Sequence, residues 1–350
     1  MNHPRLSGEP STTEAHLAQR PGGMIASRLA LSALDYSIPA RANRLDFMLG
    51  ALTLAALTAL SVSGIVLTQY YNPAPLGAHD SIRYIITELP LVTWLRDLHV
   101  WSATGAVVLV FAHLAAVFWR RGFRSPREVL WWSGVLLLAL LFGLAFTGTV
   151  LRADQEAVEA LAHAVAGAQL AGPAGAPFLP GFTPSSPLLT RMYGLHVSVL
   201  PLALVGILAL HMWLIRHLGV SAAGEERAAF RTHLRPLSGF ALLLVAAVAA
   251  VSLAWPASLL SPGMEGFEVT KPFWPFLWIY AAENLFGMAG MLIAPSVLFG
   301  FLALVPVADR TDGARARVTR YAGVVLFGLM IIAIVYAALA PGQSHLNMPM

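Results

Sequence analysis

Seven stretches of the chain stay apolar long enough to cross a hydrocarbon layer about 30 Å thick, at roughly 47–68, 98–119, 129–151, 194–215, 239–260, 286–308 and 321–341. Polar and charged residues are confined to short joints and to two longer loops, 152–190 and 261–285. The first loop starts amphipathic, with Asp154, Glu156 and Glu159, and then becomes an Ala/Gly/Pro stretch from Ala164 to Pro187 that cannot hold one regular helix throughout. The second, broken by Pro262, Gly263, Pro272 and Pro275, reads as an interfacial loop with a short helix lying against the membrane. Its aromatics Phe273, Trp274, Phe276, Trp278 and Tyr280 fit an interfacial belt as well as a binding surface. Residues 1–44 break the pattern. They are polar, carry Arg5, Arg20, Arg28, Arg41 and Arg44, and lack the apolar core of a secretory signal. The predicted architecture is an all-α membrane protein with seven transmembrane helices behind a tail that ends in a surface helix.

Composition excludes other classes. Of 350 residues 57% are hydrophobic and 11% charged, with mean hydropathy +0.68, outside the range of a soluble globular domain. The absence of cysteine rules out disulfides, thiolate metal sites, iron–sulfur clusters and thioether-linked heme on this chain. A pI near 9.7 raises nucleic acid as a partner, but the basic residues stand beside hydrophobic spans, where membrane topology accounts for them, so no nucleic-acid partner is expected. The tail and the 120–127, 216–235 and 310–320 joints hold most of the Lys and Arg. The opposite side has Arg83, Arg96, Arg152, Arg191 and Lys271. This asymmetry predicts a multi-pass protein of a bacterial inner (cytoplasmic) membrane with its N-terminus cytoplasmic.

Chemistry enters with four histidines. His99 and His113 are separated by fourteen positions, about 21 Å along a helix and within about 40° of one face. His196 and His211 are separated by fifteen, about 22 Å and within about 60°. The two spans run parallel, so His99 lies level with His196 toward the outside, and His113 with His211 toward the cytoplasm. A buried histidine can simply be satisfied by a carbonyl. Four at matched depths point instead to two metal centres, and ionisable groups at membrane depth mark function. Heme accepts two axial imidazoles and fills the gap between packed helices; with no open position it suits electron transfer. Gly50 and Gly64, and Gly134 and Gly148, repeat the fourteen-residue period and would leave room for a flat macrocycle, although small residues are common at any membrane helix contact. Arg96 and Arg120 share the histidine face at its two ends, and with Arg191 and Arg216 are candidates for holding heme propionates. The alternative is that they snorkel to the interface.

Several segments carry a family likeness: Gln69–Pro73 (QYYNP), Trp94–His99 (WLRDLH), Ser125–Glu128 (SPRE) leading to Trp131 and Gly134, Phe146–Gly148 (FTG), Thr190–His196 (TRMYGLH) and Leu200–Pro201. With the unequal histidine spacings, they resemble cytochrome b of quinol:cytochrome c oxidoreductases, and more closely the cytochrome b6 plus subunit IV form fused into one chain. The likeness runs from about residue 35 to 220 and more weakly to about 340. Beyond the cytoplasmic tail that polarity and charge predict over 1–44, it implies an antiparallel four-helix diheme bundle over 45–220 and a subunit IV-like three-helix region over 221–350. It also implies two non-covalent b-type hemes ligated by His99/His196 and His113/His211, and quinone or quinol as substrate. The implied surroundings are membrane lipid, a quinone pool, a Rieske protein, c-type cytochrome or other redox subunit on the outer face, and a homodimer.

Three departures fall on the family's outer quinol pocket. Where the family carries Gly-Tyr followed closely by Leu-Pro-Trp, Gly148–Ala153 reads GTVLRA, with Thr149 for the tyrosine and Arg152–Ala153 for Pro-Trp. Where the family carries Pro-Glu-Trp-Tyr, Pro272–Pro275 reads PFWP, and Phe273 replaces the proton-accepting glutamate. Phenylalanine cannot take a proton. Glu283, nearby in sequence, is the candidate substitute, with Glu265 and Glu268 poorer candidates. Met48 stands where b6 proteins anchor an extra heme through cysteine, so a third heme is not expected. The functional expectation is a diheme subunit moving electrons across the bilayer in a quinone-linked complex with an altered outer quinol site. A conventional quinol:cytochrome c reductase subunit using a substitute carboxylate is the first alternative, and a non-redox membrane anchor the second.

Overall fold

A computed structural model describes residues 37–219 and 227–350. The surface helix expected in the tail, with Arg5, Arg20 and Arg28, lies outside the described residues. What is described before the first span is a 3-10 turn over Ala40–Asn43 and, ahead of it, a short strand, β1 (Ser37–Pro39), paired antiparallel with β2 (Arg227–Ala229). This pairing joins chain segments nearly two hundred residues apart and was not expected from the sequence.

The described residues contain seven helical stretches long and apolar enough to cross a membrane. They include α1 (Leu45–Leu67), α3 (Pro90–Trp119) and α4 (Glu128–Val150). The fourth, α6, runs over Leu188–Leu218, and the fifth is α7 (Phe230–Ala254). The stretch Trp274–Ala308 comprises α8 (Leu277–Phe286) and α9 (Gly290–Ala308), separated by Gly287 at φ +63°. The last is α10 (Ala314–Leu339). Two further helices, α2 (Ala78–Glu88) and α5 (Gln155–Leu170), follow α1 and α4 at the same end of the bundle.

The boundaries depart from the hydropathy reading in physically simple ways. The helix α3 starts eight residues early because Pro90 suits a helical first turn and the charges of Arg96 and Asp97 neutralise each other at 2.9 Å. The helix α7 starts nine residues early, through Arg231, His233 and Arg235, whose polarity hides that turn from a hydropathy scan. The 152–190 loop holds α5 and then two 3-10 turns over Gly172–Phe178 and Pro180–Phe182, so the helix extends to Leu170 before glycine and proline end it.

Helices α1 and α3 pack antiparallel, as do α4 and α6, and α7 lies against α1 and α3. The largest buried cluster joins Phe118 and the following Phe123 to Trp131 and Leu138 of α4, Trp278 of α8 and Leu298, Leu302 and Val305 of α9. Pro306 has no N–H for the carbonyl of Leu302 four residues back. That carbonyl accepts instead from the buried Trp131 Nε1 at 2.7 Å, which returns a hydrogen bond the helix lacks and couples α4 to α9. At the same end, Arg124 pairs with Asp309 at 2.5 Å, and Arg121 pairs with Asp312. These ties close the joint after α3 onto the joint between α9 and α10.

Candidate functional site

The four histidines stand at two levels between α3 and α6. The His99 and His196 rings have centroids 6.3 Å apart, with planes inclined at 66°. Two imidazoles bonded to one metal ion by bonds of about 2 Å place their ring centres roughly 6 Å apart, so the separation fits a shared ion.

The far side of each ring meets a glycine on the antiparallel neighbour. A Cβ added at Gly64 would lie 3.1 Å from His99 Cε1, and at Gly148 3.0 Å from His196 Cε1. At the other level, a Cβ at Gly50 would lie 3.0 Å from His113 Cε1 and at Gly134 3.4 Å from His211 Cε1. The glycines therefore seat the imidazoles, a closer role than leaving room for a macrocycle.

The residue before each glycine carries the second part of the design. Ser63 donates its only proton to the Ala59 carbonyl at 2.6 Å, so its oxygen accepts from His99 Nδ1 at 3.0 Å. Thr147 donates to Gly143 at 2.8 Å and accepts from His196 Nδ1 at 3.0 Å. Ser133 donates to Leu130 at 2.7 Å and accepts from His211 Nδ1 at 2.8 Å. The carbonyls of Leu60, Leu144 and Leu130, each four residues before its glycine, also face these Nδ1 atoms. Fixing the proton on Nδ1 leaves Nε2 with a free lone pair, the state a metal ligand requires.

The fourth position differs. Leu49 precedes Gly50 and has no hydroxyl, and the equivalent carbonyl, Asp46, accepts from Arg120 Nη1 at 3.2 Å. His113 Nδ1 is consequently buried with no partner. The sequence carries this Ser/Thr-Gly pattern at 63–64, 133–134 and 147–148, where the hydroxyl residue acquires meaning only once the facing histidine is placed.

The unequal spacings are also reconciled. Residues Leu195–Val199 form a π-turn, in which the Leu200 N–H bonds the Leu195 carbonyl. A π-turn absorbs one residue without advancing the helix face, so fifteen positions act as about fourteen α steps and restore the roughly 40° offset of the His99/His113 pair.

The arginines have other engagements. Arg96 was expected to reach a propionate. It is buried, and it donates from Nη1 to Asp97 Oδ1 at 2.9 Å and the Ala257 carbonyl at 2.8 Å, and from Nη2 to the Ser258 carbonyl at 3.0 Å. Both Nη groups are thus committed to the loop after α7. Arg120 donates to Asp46 Oδ2 at 2.8 Å and lies over the Phe47 ring, with its Nε buried and unpartnered. Arg191 donates to the Pro177 and Leu179 carbonyls at 2.7 and 2.8 Å. Arg216 closes the last turn of α6 near the His211 level.

The region corresponding to the altered quinol pocket lies at the His99/His196 end. Thr149 is buried and donates to the Ala145 carbonyl, and Arg152 pairs with Glu156 at 2.5 Å. Glu156 faces the Phe273 backbone N–H; burial pushes its pKa up despite the opposing pull of Arg152. Glu156 was not considered from sequence, since it lies over a hundred residues from Phe273. Glu283 is buried in a different group, near His163, Glu268 and His345.

Seven spans around paired histidines define a helical-bundle membrane protein with imidazoles facing one another between its helices. Residues 106–274 match the family model described as Cytochrome b(N-terminal)/b6/petB. The chain is 36% identical over 201 residues to cytochrome b6 of Heliobacterium mobile, covering 55% of this chain and 93% of that one. It is 31% identical over 334 residues to a cytochrome bc complex cytochrome b subunit of Chlorobaculum thiosulfatiphilum, covering 86% of this chain and 75% of that one. It is 33% identical over 201 residues to a menaquinol:cytochrome c reductase cytochrome b subunit of Geobacillus thermodenitrificans, covering 53% and 88%. A solved hyperthermophilic respiratory Complex III chain shares the fold, with a TM-score of 0.73 at 20% identity over 93% of this chain and 91% of that one. The chain belongs to the cytochrome b/b6 family. Membership implies heme b, and the glycine seats and the Nδ1 partners fit such a group.

Proposed function

We propose that the chain is the cytochrome b subunit of a quinone-linked bc/b6f-type complex, holding two b-type hemes through His99/His196 and His113/His211 and carrying electrons between the two faces of the membrane. One observation carries the reading: His99 and His196 face each other at 6.3 Å with hydroxyls engaging both Nδ1 atoms. Heme, when bound, supplies one-electron redox chemistry. The protein's part is to fix both imidazole tautomers, seat the rings against glycine and exclude water with the apolar bundle. Residues 45–220 form the diheme part and 221–350 the subunit IV-like part. The positive-inside asymmetry supports a cytoplasmic N-terminus in a bacterial inner membrane, and the relatives' bc and cytochrome c reductase complexes support a Rieske or c-type cytochrome partner on the outer face; a homodimer is proposed from the family resemblance alone. Quinone contact on the inner side falls to the surroundings of His113, His211 and Arg216.

The test is a redox titration of the visible spectrum with heme quantified per chain, in wild type, His99→Ala and His113→Ala. Two low-spin b hemes, one lost in each variant, are expected; one or none in the wild type overturns the proposal. Heme-free protein that still assembled its complex would instead favour the anchor.

The second reading is conventional quinol oxidation with a substitute carboxylate, and the position of Glu156 beside the Phe273 backbone favours Glu156 over Glu283 for that part. Loss of quinol turnover in Glu156→Gln, with heme spectra unchanged, supports this reading. Unaltered turnover there removes Glu156 as the proton acceptor.

A further inference from the structure

Four side chains outside the heme levels converge between α5, α8, the 266–270 loop and the C-terminal segment. His163 Nε2 lies 3.1 Å from Glu268 Oε1 and 4.0 Å from Glu283 Oε1, and His345 Nδ1 lies 3.4 Å from Glu268 Oε1. Ligand atoms of His163, Glu283 and His345 all fall within 4.8 Å of one another. Glu268 and Glu283 are 2% and 5% exposed, so water does not solvate their charge.

The surroundings decide which atoms face inward. His163 Nδ1 donates to the Glu159 carbonyl at 2.9 Å, and His345 Nε2 donates to Asn284 Oδ1 at 2.8 Å. Each neutral ring therefore turns its lone pair toward the group. The second oxygen of Glu268 accepts from Ser344 Oγ and from the backbone N–H groups of His345 and Leu346, at 2.8 to 3.0 Å, leaving Oε1 directed inward. Glu283 Oε1, Glu268 Oε1, His163 Nε2 and His345 Nδ1 are all buried without a hydrogen-bond partner. Four potential ligand atoms that meet in one buried space, none of them given a donor from outside the group, are costly unless a proton is shared within it or a cation sits there.

We propose that His163, Glu268, Glu283 and His345 bind a divalent cation of the zinc class. Two imidazoles and two carboxylates satisfy the four-coordinate preference of zinc, and the carbonyl and amide behind the two histidines are the outer partners that orient such ligands. The ion would pin the C-terminal segment to α5 and α8. It would also commit Glu283 to metal, removing it from quinol chemistry. The inference is independent of the heme assignment, because none of the four residues belongs to either heme level.

The test uses the purified heme-containing complex, with no histidine tag, stripped by a chelator and titrated with Zn2+ against a competing indicator. One zinc per chain is expected, with affinity falling at least tenfold in His345→Ala and in His163→Ala and unchanged in Glu265→Gln, while X-ray absorption gives a nitrogen/oxygen shell. Heme absorbance recorded in parallel reports whether each variant is folded and keeps the two assignments separable. Zinc uptake that is the same in a spectrally normal His163→Ala/His345→Ala double variant overturns the proposal, and so does no saturable uptake by the wild type, which would mean that protons alone satisfy the group.

Discussion

Thr147→Val is the sharpest perturbation of the His196 level, because it keeps the shape of the side chain and removes only the hydroxyl that faces His196 Nδ1 at 3.0 Å. Its own bond to the Gly143 carbonyl is also lost, but that carbonyl keeps its helical partner. The Leu144 carbonyl still faces Nδ1, so the ring stays in place with one partner fewer. A neutral hydrogen bond contributes about 0.5–1.5 kcal/mol, and outer partners of a metal-bound histidine are worth roughly tenfold or more in metal affinity. A less basic imidazole stabilises the oxidised metal less, so the midpoint potential of that heme rises. A factor of three to ten between oxidation states corresponds to about 30–60 mV for a one-electron couple. The reciprocal change is Leu49→Ser, which gives His113 Nδ1 the partner it lacks and lowers the potential of the other heme by a similar amount. Potentiometric titration of each variant reads both hemes at once. If Thr147→Val leaves both midpoints in place, or moves both equally, the Nδ1 partners do not set ligand basicity and the reasoning fails.

Two further outcomes follow from the packing. Trp131→Phe removes the donor to the Leu302 carbonyl and leaves that buried acceptor unpaired beside Pro306, costing about 1–3 kcal/mol; thermal unfolding followed by heme absorbance should show a lower midpoint, and an unchanged midpoint would mean that the carbonyl finds another partner. Glu156 has a raised pKa from burial, so the folded state holds a proton that the unfolded state releases, and its contribution to stability falls as pH rises from the ordinary carboxylate range through the raised value. Glu156→Gln should flatten that part of the stability profile, and a slope identical to the wild type would place the titration elsewhere.

How much of this was legible in the sequence depended on periodicity. Long apolar runs announced the spans, and the spacing of His99 and His113 survived into the structure because α3 is regular over both. Elements set by short polar segments were hidden: α2 is too short and too polar for a hydropathy scan, and β1 with β2 depends on a pairing that no local pattern encodes. The partners that Arg96 takes within the protein were hidden for a similar reason. Adjacent Asp97 and the carbonyls of Ala257 and Ser258 compete for the guanidinium, and the second of these lies more than 150 positions away. The glycines were legible as small positions, whereas their role against the imidazoles needed the antiparallel register of α1 on α3 and α4 on α6.

The π-turn at Leu195–Val199 ties the sequence puzzle to a testable cause. Pro201 lacks the N–H that would bond the Val197 carbonyl four residues back, and its ring crowds that carbonyl, so the α ladder is broken where Leu200 reaches back to Leu195. Without the proline the segment Leu195–Leu200 contains no residue that breaks a regular helix. Pro201→Ala should therefore let the segment revert to α geometry, turning His196 by about 100° relative to His211, the angle of one residue. The expected result is loss or a high-spin shift of the heme at the His99/His196 level, with the His113/His211 heme retained. Two unperturbed low-spin hemes in Pro201→Ala would show that the glycine seat at Gly148 and the Thr147 hydroxyl, rather than the proline, hold the π-turn open.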